Sequence, residues 1–339
     1  MADDQREELE IGGRYKLRTP RSPMKKVFLA LLSICVLHPL AQAADKIRIG
    51  SPGRGVQFIS LPLAQKLGFF QEQGLQAEFI QIAPPVGIAA LVTGEIDYWT
   101  SFGSPIPAAI RGVPIKVVAC FVNSPPFALI SAPEFRSVQS LKGKAIGVNA
   151  FGGALESVAR LIFKHFGVDP DKEIKFLVTG GIEARFASMK QGLTAATMAT
   201  SPSDFLGKKM GLVVLARSQE LFSYPSGGLI ATAQRIKEKP DEVKRVIKAG
   251  VKANRYIRQN REGMIQFMIE WMKIDKEMAT ATYESASNIY NEDGAIPEDG
   301  LRLIIEEAKK NAKLNREVSL SEVADLSILK AVQREMGIK

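Results

Sequence analysis

The chain spells one supersecondary unit twice, and that repetition limits the folds open to it more than any other feature. Ile47-Arg-Ile-Gly-Ser-Pro-Gly-Arg-Gly55 is a β-run entering a glycine-rich turn, followed by a helical stretch reaching Lys66-Leu-Gly-Phe-Phe70 and a second β-run, Gly74-Leu-Gln-Ala-Glu-Phe-Ile80. Lys144-Ala-Ile-Gly-Val-Asn-Ala-Phe-Gly-Gly153, a helix reaching His165-Phe-Gly167, and Glu173-Ile-Lys-Phe-Leu-Val178 repeat that order. Each copy then runs through a further helix into an echo. The first echo is Leu91-Val-Thr-Gly-Glu-Ile-Asp-Tyr-Trp-Thr-Ser-Phe-Gly-Ser-Pro105 and the second is Met189-Lys-Gln-Gly-Leu-Thr-Ala-Ala-Thr-Met-Ala-Thr-Ser-Pro202. Both have an apolar helix end, a glycine, a short strand and a hydroxyl-then-proline loop. Strands alternating with helices specify a parallel sheet covered by helices, so the expectation is two related α/β lobes, each a mainly parallel sheet flanked by helices. Ser60, ahead of Pro62, is expected to cap the first helix.

Two crossings join the lobes. The first is the proline-marked Asn123-Ser-Pro-Pro-Phe127 and the second falls within Arg217 to Gly228. The expected division is 44–124 for the first part of lobe one, 125–221 for lobe two, and 222–339 for the return to lobe one with C-terminal helices. Pro240-Asp-Glu-Val-Lys-Arg-Val-Ile247 places Pro and acids in a first turn ahead of apolar residues at helical spacing. Ile265 to Trp271, Met278 to Tyr290, Leu301 to Ala312 and Ser321 to Met336 continue as helices expected to pack on lobe one.

Ahead of the repeat, Met24 to Ala43 has a basic start at Lys25-Lys26, an apolar run and an Ala41-Gln-Ala43 end, the three parts of a secretory signal peptide. Its apolar run, Val27 to Leu37, is shorter than the roughly 20 residues that a spanning helix needs. Residues 1–23 are polar and have no place before such a signal, so they are either not native, with the true start at Met24, or a disordered leader. A lipoprotein is a poor fit, because Cys35 follows Ile34 inside the apolar run. Cleavage after Ala43 removes Cys35 and His38 and leaves a single thiol, Cys120, in Val117-Val-Ala-Cys-Phe121, and a single histidine, His165. No internal disulfide is then available. The net charge of +9 would suit nucleic acid or an anionic membrane, but the charges are spread along helices without a basic run or aromatic alternation, which describes a solvated surface and no nucleic-acid partner.

The signal, Leu61-Pro-Leu-Ala-Gln-Lys-Leu-Gly-Phe-Phe70 with Gly74-Leu75, Leu91 to Asp97, Gly112-Val-Pro114, Leu141-Lys-Gly-Lys144 and the duplicated lobes together resemble the periplasmic solute-binding proteins of ABC importers. The nearest branch holds the nitrate, taurine and alkanesulfonate receptors and the thiamine-pyrimidine-synthase-like proteins. The resemblance spans nearly all of 45–339 and implies a two-lobed type II binding protein. Such a protein is periplasmic and monomeric, works without cofactor or metal, and is not an enzyme. It captures a small polar or anionic solute of the sulfonate, nitrate, carboxylate or pyrimidine class and hands it to an inner-membrane permease. Thr194 stands where this family usually has an aspartate, so that acid is no general ligand contact here. Two alternatives stay open: a pyrimidine-synthase-like enzyme on the same fold, and a sensory binding protein serving a membrane receptor. The synthase-like relatives sacrifice a histidine and use a cysteine-rich motif, and neither occurs in this sequence.

In open α/β sheets ligands lie beyond the carboxyl ends of the strands, which selects four loops. They carry Ser51, Arg54, Gly55 and Gln57; Ser101, Phe102 and Gly103; Asn149, Phe151, Gly152 and Gly153; and Thr200 and Ser201. Gly53-Arg-Gly55 has Phe58 where a dinucleotide fingerprint needs its third glycine, so backbone N–H groups facing an anion at a helix start are the better reading, beside a purely structural turn. Arg54 is the one charged side chain in these loops and is expected to meet a sulfonate or carboxylate, or else to face solvent. Phe102 and Phe151 would supply an aromatic wall, while Phe58, Tyr98 and Trp99 are more often core residues. Asp97 is expected to anchor local backbone, Asn123 and Ser124 to fix the hinge, and His165 and Cys120 to stand aside as structural groups. N-terminal sequencing of protein from the native cell envelope should begin at Ala44 or within a residue or two, and a mature start at Met1 would overturn the export reading.

Overall fold

The structure is a computed structural model that describes residues 44–338, so the leader and signal readings lie outside the described residues. The strands are β1 (Asp45–Ser51), β2 (Leu75–Gln81), β3 (Tyr98–Ser101), β4 (Ile115–Val122), β5 (Phe127–Ser131), β6 (Ala145–Val148), β7 (Lys175–Val178), β8 (Ala196–Thr200), β9 (Val213–Arg217) and β10 (Gly227–Thr232). They form two five-stranded sheets, ordered β2-β1-β3-β10-β4 and β7-β6-β8-β5-β9. In the first, β1 runs parallel to β2 and β3 while β10 is antiparallel to β3 and β4. In the second, β6 runs parallel to β7 and β8 while β5 is antiparallel to β8 and β9. The reversed strand of each sheet is the one the chain enters directly after a crossing. This is the two-lobed α/β fold expected from the duplicated sequence.

The repeat extends to single atoms. Thr100 Oγ1 donates to the Gly50 carbonyl at 3.2 Å across β3 and β1, and Thr197 Oγ1 donates to the Gly147 carbonyl at 2.7 Å across β8 and β6. Gly50 is glycine for space: a Cβ there would stand 2.6 Å from Ile96 Cδ1 and 2.8 Å from Trp99 Cε3. On one face of the first sheet, the Pro240–Gln259 helix buries Val243, Val246, Ile247 and Val251, the amphipathic stripe that its sequence spacing predicts. On the other face, Trp99, Phe102 and Ile106 pack with Leu301, Ile304 and Ile305 of the Glu298–Ala312 helix. In the second lobe, Val158, Ala159, Ile162 and Phe163 of the Ala154–His165 helix cover Leu129, Ile146 and Met198.

Two local expectations are corrected. Ser60 does not cap its helix, which runs Ser60–Lys66 with Ile59 at the cap position, and the buried Ser60 hydroxyl has no partner among the described residues. A preceding short helix, Val56–Phe58, already carries the chain into the turn and leaves no extended residue to act as cap. Ser321 to Met336 is not one helix but two, Leu320–Val323 and Ser327–Glu335. The break occurs where Ala324 bridges to Val117 of β4 and the Asp325 N–H donates to the Val117 carbonyl at 2.9 Å.

Asp97 ties the returning chain to the first sheet. Its Oδ2 accepts from the Arg48 N–H at 2.6 Å and its Oδ1 from Arg235 Nη1 at 2.7 Å. Arg235 also reaches Glu242 Oε1 at 2.8 Å, and Glu242 Oε1 accepts from the Tyr98 hydroxyl at 2.7 Å. The Tyr98 phenol is held well above its ordinary pKa, first by burial and then by the adjacent carboxylate. Removing one partner of such a buried pair typically costs about 3–5 kcal/mol. Because Glu242 still faces Arg235, Asp97→Ala is expected to lose about 3 kcal/mol in denaturant melts, at the low end of that range. Arg54→Ala, at an exposed position, should melt with the wild type. An unshifted Asp97→Ala melt would overturn this role.

Candidate ligand-binding site

A cavity of about 190 Å³ opens between the two sheets. Gln57, Phe58, Ser101, Phe102 and Pro107 wall it from lobe one, and Phe127, Gly152 and Ser157 from lobe two. Pro125 and Tyr224-Pro225-Ser226 come from the crossings, while Ile304, Glu307 and Asn311 come from the Glu298–Ala312 helix. Aromatic walls with a few convergent polar groups are what a small organic molecule requires.

The crossings are hydrogen-bonded to each other. The Tyr224 N–H donates to the Asn123 carbonyl at 2.9 Å, the Ser226 N–H to the Val122 carbonyl at 3.0 Å, and Ser124 Oγ to the Phe222 carbonyl at 3.2 Å. Asn123 Oδ1 accepts from Asn291 Nδ2 at 2.8 Å. The Glu298–Ala312 helix approaches this ribbon closely at Gly300, where a Cβ would stand 2.5 Å from Pro225 Cδ and 2.8 Å from the Ser223 carbonyl oxygen. That approach brings Glu307 within reach of Tyr224, whose hydroxyl donates to Glu307 Oε2 at 2.8 Å. Burial pushes the Glu307 carboxyl above its ordinary range, opposed by the Tyr224 hydrogen bond and by the more distant Lys164, Lys310 and Arg160. The Tyr224 phenol is raised as well, through burial and then the neighbouring carboxylate. Ser226 Oγ is buried with no partner among the described residues.

Of the residues selected from the sequence, Gln57, Ser101, Phe102, Gly103 and Gly152 line this cavity. Ser51, Arg54, Gly55, Asn149, Phe151, Gly153, Thr200 and Ser201 do not. Arg54 is exposed, and Phe151 is 66% exposed. Phe102 is 1% exposed and belongs to the core as much as to the wall. The Gly152 turn does not offer its N–H to an incoming anion, because that group already donates to Glu156 Oε2 at 2.7 Å. An acid in the first turn of the following helix has taken the place expected for a ligand. Ser201 turns to the C-terminal part: its Oγ lies 2.8 Å from Ser285 Oγ, and Gln219 Nε2 donates to the Ser285 carbonyl at 3.0 Å. Lys209 also pairs there with Glu277. Thr194, at the aspartate position of the second echo, is buried and bonds Ser188 Oγ at 3.1 Å.

Tyr224, Ser226, Glu307 and Asn311 were not anticipated. Tyr224 and Ser226 flank Pro225 inside the segment recognised only as a crossing. Glu307 and Asn311 share a helix face with Ile304 and Ala308, at spacings of three, four and seven. An acid set into an apolar stripe is the sequence signal that would have found them. Cys120 is buried, with its thiol pushed up by desolvation, and neither it nor His165 lines the cavity.

The comparisons agree with this architecture. A binding protein of Brucella abortus (strain 2308) is 26% identical over 281 residues, covering 79% of this chain and 85% of its own. A 4-amino-5-hydroxymethyl-2-methylpyrimidine phosphate synthase of Saccharomyces cerevisiae (strain ATCC 204508 / S288c) is 24% identical over 215 residues, 59% of this chain and 63% of its own. The periplasmic sulfonate-binding protein of Methylobacillus flagellatus KT shares the fold, with a TM-score of 0.72 at 14% identity over 88% of this chain and 96% of its own. The family model described as NMT1/THI5 like matches residues 56–263, and the chain belongs to that family.

Proposed function

We propose that the protein is the periplasmic solute-binding component of an ABC importer, a monomer that captures a small polar solute between its lobes and delivers it to a permease in the inner membrane. The supporting observation is that one cavity takes its walls from both sheets and both crossings, so its shape follows the spacing of the lobes. The lobes are taken as 44–124 with 222–339, and as 125–221. Gln57, Ser101, Gly103 and Gly152 are put forward as ligand contacts, with Tyr224, Ser226 and Asn311 added by their position on the wall. The sulfonate, nitrate, carboxylate and pyrimidine classes define the first solutes to test. The synthase name of the yeast relatives keeps a catalytic role in view. Rapid labelling of Cys120 in the native protein would favour that role, since its buried thiol should otherwise react slowly.

Closure by a hinge is the expected response to ligand, with bending confined to Asn123–Pro126 and Arg217–Gly228. A solute at a hundredfold excess over its dissociation constant should stabilise the fold by about 2.7 kcal/mol. A solute identified in that way should also reduce the radius of gyration in small-angle scattering. Ser101→Trp, which fills the cavity from the end of β3, should abolish both effects while leaving the free protein folded. Stabilisation that survives in this variant would place the site elsewhere.

A further inference from the structure

We infer that the cleft selects a small organic cation, an amidinium or ammonium group carried on an apolar ring, and rejects sulfonate and nitrate. This rests on the solute-capture reading above. Among the described residues lining the cavity, Glu307 is the only formally charged side chain, and no lysine, arginine or histidine reaches the wall. Its Oε2 accepts from Tyr224, while Oε1 takes no hydrogen bond from any described residue and no cation lies at ion-pair distance. The nearby positive charges are committed or distant. Arg160 is held by Glu156 and Asp171, and Lys164 and Lys310 are exposed.

The two features that would welcome an anion are both withdrawn. Arg54 is exposed and off the wall, and the helix start at Gly152 already holds the Glu156 carboxylate. An anionic ligand would place like charge beside Glu307 with nothing to neutralise it, whereas an amidinium or ammonium would give Oε1 the donor it lacks. Phe58 and Phe127 then offer apolar surface to the body of such a ligand. The unpartnered Ser226 hydroxyl supplies a further hydrogen-bonding group on the same wall.

Benzamidine and benzylamine, tested by calorimetry against benzoate and benzenesulfonate, share a ring and differ in the charge they carry. The expected result is that the cations bind and the anions do not. Glu307→Gln should then weaken the cations about 10- to 150-fold, the loss that removing one charge-assisted hydrogen bond brings. The free Glu307→Gln protein should melt no lower than the wild type, since the substitution removes a desolvated carboxylate. Glu307→Met, which removes the charge while keeping the bulk of the side chain, serves if Glu307→Gln does not fold and should weaken the cations by the same factor. Anions that bind while cations stay silent, or cations indifferent to Glu307→Gln, overturn the inference and leave solute capture standing. Silence of all four probes, together with no solute co-purifying from the native envelope, overturns both.

Discussion

Asp97 is the point at which three separate stretches of chain become one lobe. Its two oxygens hold the backbone of β1 and the guanidinium of Arg235, and Arg235 passes the connection to Glu242 on the long C-terminal helix and so to Tyr98. These charges sit largely out of water, where an ion pair stabilises only if its remaining hydrogen-bonding capacity is met. Here the backbone N–H and the phenol meet it. The returning chain must follow β10 and the Pro240–Gln259 helix in one arrangement, and that arrangement in turn brings the Glu298–Ala312 helix to the crossings. The cavity wall is therefore a remote consequence of an acid at the strand entrance.

The same carboxylate clarifies what the duplication preserved and what it released. Both halves keep the order of strands and the threonine that reaches across to a glycine carbonyl. Only the first half has to receive a returning chain, and only it carries the acid. In the second half Thr194 satisfies itself on Ser188, a local bond that commits no distant segment.

How much of this was legible in the sequence depended on range. Alternation of strands and helices, the glycine turns and the repeated echo are local signals, and they led to the right sheets and the right family. Asp97 as a structural anchor was legible too, although Arg235 as its partner was not, because 138 residues separate the two. The site was less readable. Of the loops at strand ends, some residues line the cavity, but the Gly152 N–H is taken by Glu156 of its own helix and Ser201 bonds Ser285 of a C-terminal helix. Conversely, Glu307 reaches the cavity only because Gly300 lets its helix approach the second crossing. No pattern within a loop encodes a distance set by packing between remote elements.

The contacts of lobe two with the Lys276–Ala286 helix have a bearing on how the molecule meets its surroundings. That helix packs in the core of lobe one through Ala279, Tyr283 and Ala286, yet it carries the partners of Ser201, Gln219 and Lys209. Any parting of the lobes has to release two neutral hydrogen bonds and one exposed ion pair. The neutral bonds are indifferent to dissolved salt, while the exposed pair weakens as ionic strength rises. The ionic strength of the surrounding medium thus enters directly into the resting posture of the molecule. Dilute surroundings hold the jaws together, and brine loosens one of their three fastenings.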